Sequence, residues 1–263
     1  MIGAWEIVFS ILMFIVGAAV GSFLCCQAWR LRYKELGKKR LGKRSVCLKC
    51  GARLKWYDNV PVFSWIVLRG KCRKCGAKIG VAEILSELSM GAVFVWWGSV
   101  VSGWGYMEAG MMLMIILIAG FLAIYDGMFG ELPNFVLWIG VVLAGSVAIL
   151  RLVQSNFAGE EILNLVGAMM IFGGVYLVLY LISKGRWVGD GDYILGMILG
   201  AALGNSWLAL VALCLANFLG CGIMLPQLKG KNKRKQKIYF GPFMVAGFML
   251  SLMFADLLLS MIK

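Results

Sequence analysis

Long apolar runs follow one another along most of the chain, separated by short polar stretches and one long one. A helix that crosses the hydrocarbon core needs about 20 consecutive apolar residues. Eight segments meet or approach that length: Trp5–Trp29, Ile84–Val101, Met107–Tyr125, Phe135–Val153, Ile162–Ile182, Tyr193–Leu203, Trp207–Leu225 and Tyr239–Ile262. The sixth is the shortest. The pattern predicts an all-α polytopic membrane protein of about eight transmembrane helices. Three parts follow from it: a first transmembrane helix over 1–29, a polar loop over 30–83, and a seven-helix membrane core over 84–263. The first run is too long for a signal-peptide core and has no charged region before it, so no cleavable signal peptide is expected.

Composition supports this reading, because 61% of the 263 residues are hydrophobic and only 15% are charged. Eight spans would use roughly 160 residues, leaving little chain for a large soluble domain. The 26 Lys and Arg against 13 Asp and Glu give a net charge of +13, and their placement explains it. Cytoplasmic loops collect basic residues. With both ends outside, the inside loops are Arg30–Glu83, Asp126–Asn134, Lys184–Asp192 and Pro226–Ile238, which hold 16, 0, 2 and 6 basic residues. Only Arg151 and Lys263 remain outside. The run Lys229-Gly230-Lys231-Asn232-Lys233-Arg234-Lys235 gives the same orientation independently of the long loop. The basic excess is therefore topological, with contact to lipid phosphate as a secondary role, and no nucleic-acid partner is needed to explain it.

Histidine is absent, which excludes Ser-His-Asp and Cys-His nucleophiles and HExxH metalloproteases. The long inside loop instead carries Cys47-Leu48-Lys49-Cys50 and Cys72-Arg73-Lys74-Cys75, continuing as Gly51-Ala52-Arg53-Leu54 and Gly76-Ala77-Lys78-Ile79. Two Cys-x-x-Cys-Gly knuckles place four thiols at a tetrahedral zinc spacing, and the glycines permit a tight turn around the metal. Lys49, Arg53, Lys71, Arg73 and Lys74 favour thiolates there. A pair of disulfides is the competing reading, disfavoured in a reducing cytoplasm. A four-cysteine site has no open position, so the Zn2+ would be structural in a zinc-ribbon-like loop. Cys25, Cys26, Cys214 and Cys221 lie in apolar runs and read as buried small hydrophobes.

The five aspartates are Asp58, Asp126, Asp190, Asp192 and Asp256. Asp126 ends the third run, and Asp190 and Asp192 precede the sixth in Gly189-Asp190-Gly191-Asp192, both on the predicted cytoplasmic side. Carboxylates at a membrane edge are costly unless paired or wetted. If Asp126 and Asp192 face each other, like-charge repulsion makes them hold one proton between them, and the pair can activate a water and polarise a scissile carbonyl. Gly189 and Gly191 would then let a substrate backbone approach. The structural alternative is that these aspartates are helix caps, most plainly for Asp190. A cation transporter or channel is the alternative from another functional class; it would use membrane carboxylates and favour Asp256.

The sequence resembles the type IV prepilin peptidases, membrane aspartic peptidases of the GxGD type. The resemblance rests on Gly21-Ser22-Phe23-Leu24 with Arg30, on Asp58-Asn59-Val60-Pro61-Val62-Phe63-Ser64-Trp65 between the knuckles, and on Arg69 to Cys75 followed by Glu83. It continues through Asp126-x5-Leu132-Pro133, Gly189-x-Gly191-Asp192 and Phe240-Gly241-Pro242-Phe243. Asn134 stands where the family commonly has Asp, and Leu48 where proline is frequent.

The resemblance implies a bacterial cytoplasmic (inner) membrane enzyme with catalytic Asp126 and Asp192. Such an enzyme removes a basic leader from a prepilin or pseudopilin after a glycine, at the cytoplasmic face. It also implies, for bifunctional members, N-methylation of the new terminus with S-adenosylmethionine. No glycine-rich nucleotide loop is present, so no cofactor-binding residues are identified. Glu83 and Glu87, four apart on one helical face, are candidates for methylation, and Asp58, Glu83 and Glu87, with Glu131 and Asp190, for contact with the basic leader.

Overall fold

The computed structural model describes residues 3–37, 45–228 and 239–260, with the side chains of 224–228 outside the description. The basic run at 229–235 therefore lies outside the described residues. Within the described residues, each of the eight apolar runs is mostly helical. The elements are α1 (Ala4–Glu35), a 3-10 turn (Trp56–Asn59), α2 (Phe63–Val67), α3 (Val81–Val100), α4 (Tyr106–Phe129), α5 (Asn134–Gln154) and α6 (Gly159–Met169). A π turn (Met170–Gly174) leads into α7 (Val175–Ser183), followed by α8 (Asp190–Leu203), α9 (Ser206–Leu228), α10 (Gly241–Met253) and α11 (Ala255–Ser260). Among the described residues, six helical segments are long and apolar enough to cross a membrane, with α6, the π turn and α7 forming one of them. The sixth and eighth predicted spans are shorter helices, with 14 residues in α8 and 13 in α10.

Two predicted spans differ in detail. The eighth run is two helices, because α10 ends at Phe254, whose N–H still reaches Leu250 O at 3.1 Å before α11 begins. The fifth contains the π turn, where one extra residue per turn shifts the register of everything after Gly174.

The chain divides into two compact units, Met1–Trp104 and Gly105–Lys263. In the first, α1 and α3 pack closely along their length. Gly17 and Gly21 permit this: a side chain at Gly17 would meet Phe94 Cβ at 2.6 Å, and one at Gly21 the Ser86 carbonyl carbon at 2.8 Å. Lipid offers no hydrophobic drive between helices, so close approach of small residues carries the contact. This interlock puts the second span in the same unit as the first.

In the second unit α8 is the hub, packing against α4, α5, α6, the π turn, α7, α9 and α10. Leu195, Leu199 and Ala202 are fully buried. Gly196 lets α8 touch the π turn, since a side chain there would sit 2.8 Å from Gly173 Cα. A helix enclosed by protein on all sides has no lipid thickness to match, which is how 14 residues suffice. Arg151, one of the two cations left on the predicted outer side, is paired: its Nε donates to Glu108 Oε1 at 3.2 Å and its Nη1 to Ala202 O at 2.8 Å.

Candidate active site

Asp126 lies in the last turn of α4, where Gly130 ends the helix in the left-handed conformation (φ +68°). The side chain is buried, and Oδ2 accepts a hydrogen bond of 2.8 Å from Gly241 N–H, the first residue of α10. That N–H is one of the amides a helix leaves without an internal partner at its N-terminus, and the dipole there favours a carboxylate. Glycine is required for the approach, because a Cβ at position 241 would stand 2.8 Å from Asp126 Oδ2. Pro242 follows at the second helical position, where its missing N–H costs nothing.

Asp192 is the third residue of α8, and its Oδ2 accepts from Gly189 N–H at 2.9 Å. Asp192 itself therefore fills the role of helix-start acceptor that the sequence suggests for Asp190, and Asp190 is exposed. Gly191 is buried against Leu132, whose Cβ would lie 2.7 Å from a side chain at that position. The glycine before Asp192 thus packs onto the loop that follows Asp126, and Asp126 and Asp192 come within electrostatic range of each other. Each carboxylate is held through Oδ2 by one backbone amide.

Tyr176, on α7, is a neighbour that the sequence reading omits. It is buried, lies within electrostatic range of Asp192, and sets its ring 5.3 Å from that of Phe240, the residue before Gly241. Asn217 Nδ2 donates to its hydroxyl at 3.3 Å and to Leu213 O at 2.8 Å. An asparagine inside the apolar run Trp207–Leu225 was the available signal, since polar groups in spans usually bond to another helix.

The remaining predicted residues lie in the first unit. The two knuckles fold alike. In the first, Gly51 N–H donates to Cys47 O at 2.8 Å and Cys47 N–H to Ala52 O at 2.9 Å; in the second, Gly76 donates to Cys72 O at 2.9 Å and Cys72 to Ala77 O at 2.7 Å. Gly51 and Gly76 both have φ +67°, the left-handed turn that only glycine adopts without cost.

The sulfurs of Cys47, Cys50, Cys72 and Cys75 all lie within 4.8 Å of one another, with Cys47 and Cys75 at 3.9 Å. Four ligands at about 2.3 Å from a tetrahedral zinc stand about 3.8 Å apart, so the set fits a metal ion. The amides of Cys75 and Lys74 pull the Cys72 thiol down to about 6, while burial and the neighbouring thiols push Cys75 up to about 11, as expected of thiols crowded to metal-binding separation.

Asp58 pairs with Arg73 at 2.9 Å and accepts from Lys55 N–H at 3.1 Å, tying the 3-10 turn to the second knuckle. Glu87 is buried and accepts from Val62 N–H at 2.7 Å. Val62 has φ +62°, a strained conformation for a β-branched residue. Glu83, one helical turn before Glu87, is half-buried and accepts from the Trp29 indole N–H.

Residues 15–100 match the bacterial peptidase A24 N-terminal domain family, a span that falls within the first unit. The prepilin leader peptidase/N-methyltransferase of Vibrio cholerae is 30% identical over 209 residues, covering 76% of this chain and 79% of the relative. The chain belongs to the prepilin leader peptidase/N-methyltransferase family. The Burkholderia pseudomallei relative of that name is 32% identical over 221 residues, with 80% and 67% covered. The Myxococcus xanthus relative is 30% identical over 212 residues, and the chain spans 59% of its length. No solved structure matches the chain. As a multi-pass member of this family, the chain carries the four-cysteine cluster and both aspartates in the arrangement just described.

Gly241→Ala separates two opposing effects. Helix propensity alone would stabilise the variant by about 1 kcal/mol, whereas displacing the Asp126 carboxylate from its amide costs about 1.5–3 kcal/mol. We expect a lower melting temperature for purified Gly241→Ala than for the parent.

Proposed function

We propose that the chain is an aspartic endopeptidase of the inner membrane that removes the basic leader from a prepilin or pseudopilin after a glycine, at the cytoplasmic face. The observation that carries this reading is the pair Asp126 and Asp192, brought within electrostatic range from separate helices and each anchored by one backbone amide. Two carboxylates so placed share one proton and titrate as a unit. One draws a proton from water, which adds to the scissile carbonyl; the other hydrogen-bonds the carbonyl oxygen. Collapse breaks the C–N bond and delivers a proton to the leaving amine, so the leader ends in a carboxylate and the pilin in an amine.

The substrate's own apolar helix enters from lipid and sets the depth of the scissile bond. The segment to be cut must be extended, because a regular helix hides its carbonyls, and a wetted cavity is where such backbone is tolerated. Gly189 keeps the backbone beside Asp192 free of a side chain. Asp190 and Glu131 are the exposed carboxylates flanking the dyad and are the groups for the leader's basic residues; Asp58 and Glu87 are engaged within the loop.

The second activity in the relatives' name, N-methylation, here of the new terminus with S-adenosylmethionine, belongs to the same reading. Zn2+ on Cys47, Cys50, Cys72 and Cys75 is structural, since four thiolates leave no position for a substrate.

Asp126→Asn and Asp192→Asn should each abolish cleavage of a prepilin in membranes, read as loss of the shortened pilin on gels, with a drop of at least about a thousandfold. Retained cleavage in either variant overturns the dyad. The rival reading, a cation pathway, predicts flux in proteoliposomes.

Metal analysis of the purified parent should return about one zinc per chain. Cys50→Ser should lose it and lower the melting temperature, while a metal-free parent would remove zinc from this account.

A further inference from the structure

Tyr176 is a buried group that the chemistry above leaves without a task. It is 2% exposed and has a neighbour from each half of the aspartate site. One turn further along α7, Tyr180 sets its ring 5.4 Å from that of Tyr193, the residue after Asp192. The ring of Tyr176 itself stands 5.3 Å from that of Phe240, the residue before the amide that holds Asp126. Packing alone would be served by phenylalanine. A hydroxyl buried among apolar side chains is unfavourable unless it is hydrogen-bonded.

The direction of the one hydrogen bond it makes follows from its partner. Asn217 Nδ2 lies 2.8 Å from Leu213 O and 3.3 Å from the Tyr176 hydroxyl. A carbonyl oxygen only accepts, so the atom facing Leu213 O is the amide nitrogen and not the amide oxygen. The same nitrogen offers its second hydrogen to the phenol, whose oxygen is therefore the acceptor. The phenol's own proton is left over. Among the described residues no protein acceptor is bonded to it, and the carboxylate within electrostatic range is that of Asp192. Asn217 is an exposed amide inside the span Ser206–Ile223. A polar side chain at that depth is costly without a partner, and Tyr176 is the partner that another helix supplies.

We propose that Tyr176 is a positioning residue of the peptidase: oriented by Asn217, it donates its hydroxyl proton to the Asp192 carboxylate once a peptide is bound, and keeps Asp192 as the ionised member of the pair. The inference rests on the aspartic reading proposed above and assigns the two roles within it. With Gly189 N–H on Oδ2, a second donor gives Asp192 two hydrogen bonds against the one that Asp126 accepts from Gly241. Hydrogen bonds to the charged form favour ionisation. Asp192 then takes the proton from water as the water oxygen bonds to the scissile carbon, and Asp126, 5% exposed, gives the shared proton to the carbonyl oxygen. Hydrogen bonds of this kind are often long in a free enzyme and tighten in the complex, which brings hydroxyl and carboxylate from electrostatic range into contact.

The test is kcat and KM for cleavage of a prepilin by the full chain in detergent, measured for Tyr176→Phe, Asn217→Leu and the double variant. Tyr176→Phe should lower kcat about a hundredfold while KM changes less than about twofold, because the bond acts in the transition state and not in binding. Asn217→Leu keeps the hydroxyl but frees its orientation, and should lower kcat about tenfold. The double variant should be no slower than Tyr176→Phe alone, whereas independent roles would multiply the two losses. Where Tyr176→Phe melts lower than the parent, Asn217→Leu on the exposed side of α9 decides, by the same loss of kcat at constant KM.

Parental kcat in Tyr176→Phe, a rise in KM alone, or losses that multiply in the double variant overturn the inference. With Asp126→Asn and Asp192→Asn inactive, the dyad still stands in that case. Cleavage retained in those two variants overturns the dyad and the role of Tyr176 with it.

Discussion

A carboxylate at the rim of a membrane bundle is tolerated only where protein or water supplies hydrogen bonds, and here the backbone supplies them. Asp126 takes the amide at the start of α10, and Asp192 takes one at the start of α8. Both use free donors that every helix N-terminus presents. The rest of the second unit serves that constraint. Glycine at 241 lets the Asp126 oxygen reach the amide, glycine at 191 lets α8 close onto Leu132, and the short α8 is enclosed by its neighbours so that its first turn is fixed. On each side chain Oδ2 is the oxygen that takes the backbone amide.

The first unit solves a different problem with different physics. A polar loop of 54 residues, Arg30–Glu83, has too little apolar content for a core of its own. Two repeated knuckles with matching hydrogen bonds and left-handed glycines gather four sulfurs to metal-binding separation, and the Asp58–Arg73 pair fastens the intervening turn to the second knuckle. The four gathered sulfurs draw the two knuckles together, and the loop with α1 and α3 lines a cavity of about 930 Å³.

Much of this was legible in the sequence because it is local or periodic. Apolar runs marked the helices to within a few residues at most ends, and the Cys-x-x-Cys-Gly repeat announced the sulfur cluster. The limits are also local in origin. α1 runs on to Glu35 because the residues after Trp29 are good helix formers, with Arg32 and Glu35 paired at 3.7 Å on one face, so loss of hydrophobicity does not end it. The break at Phe254 and the π turn at Met170–Gly174 leave no mark on hydropathy.

What the sequence withheld is what tertiary contact creates. The amide for Asp126 comes from a residue 115 positions away, and Tyr176 comes within range of Asp192 only once α7 packs against α8. Helix-cap and catalytic readings of the Gly-x-Gly-Asp string looked like alternatives in one dimension. In the fold the two are compatible on one residue, since Asp192 accepts from Gly189 with one oxygen while standing within range of Asp126.

The claim beneath all of this is that the side chains at 126 and 192 meet, and thiol chemistry tests it most directly. In membranes carrying Asp126→Cys with Asp192→Cys, a short bifunctional thiol reagent should join the two positions within one chain, giving a linked peptide pair by mass spectrometry. Both cysteines reacting with a monofunctional reagent while no linked pair forms would contradict it.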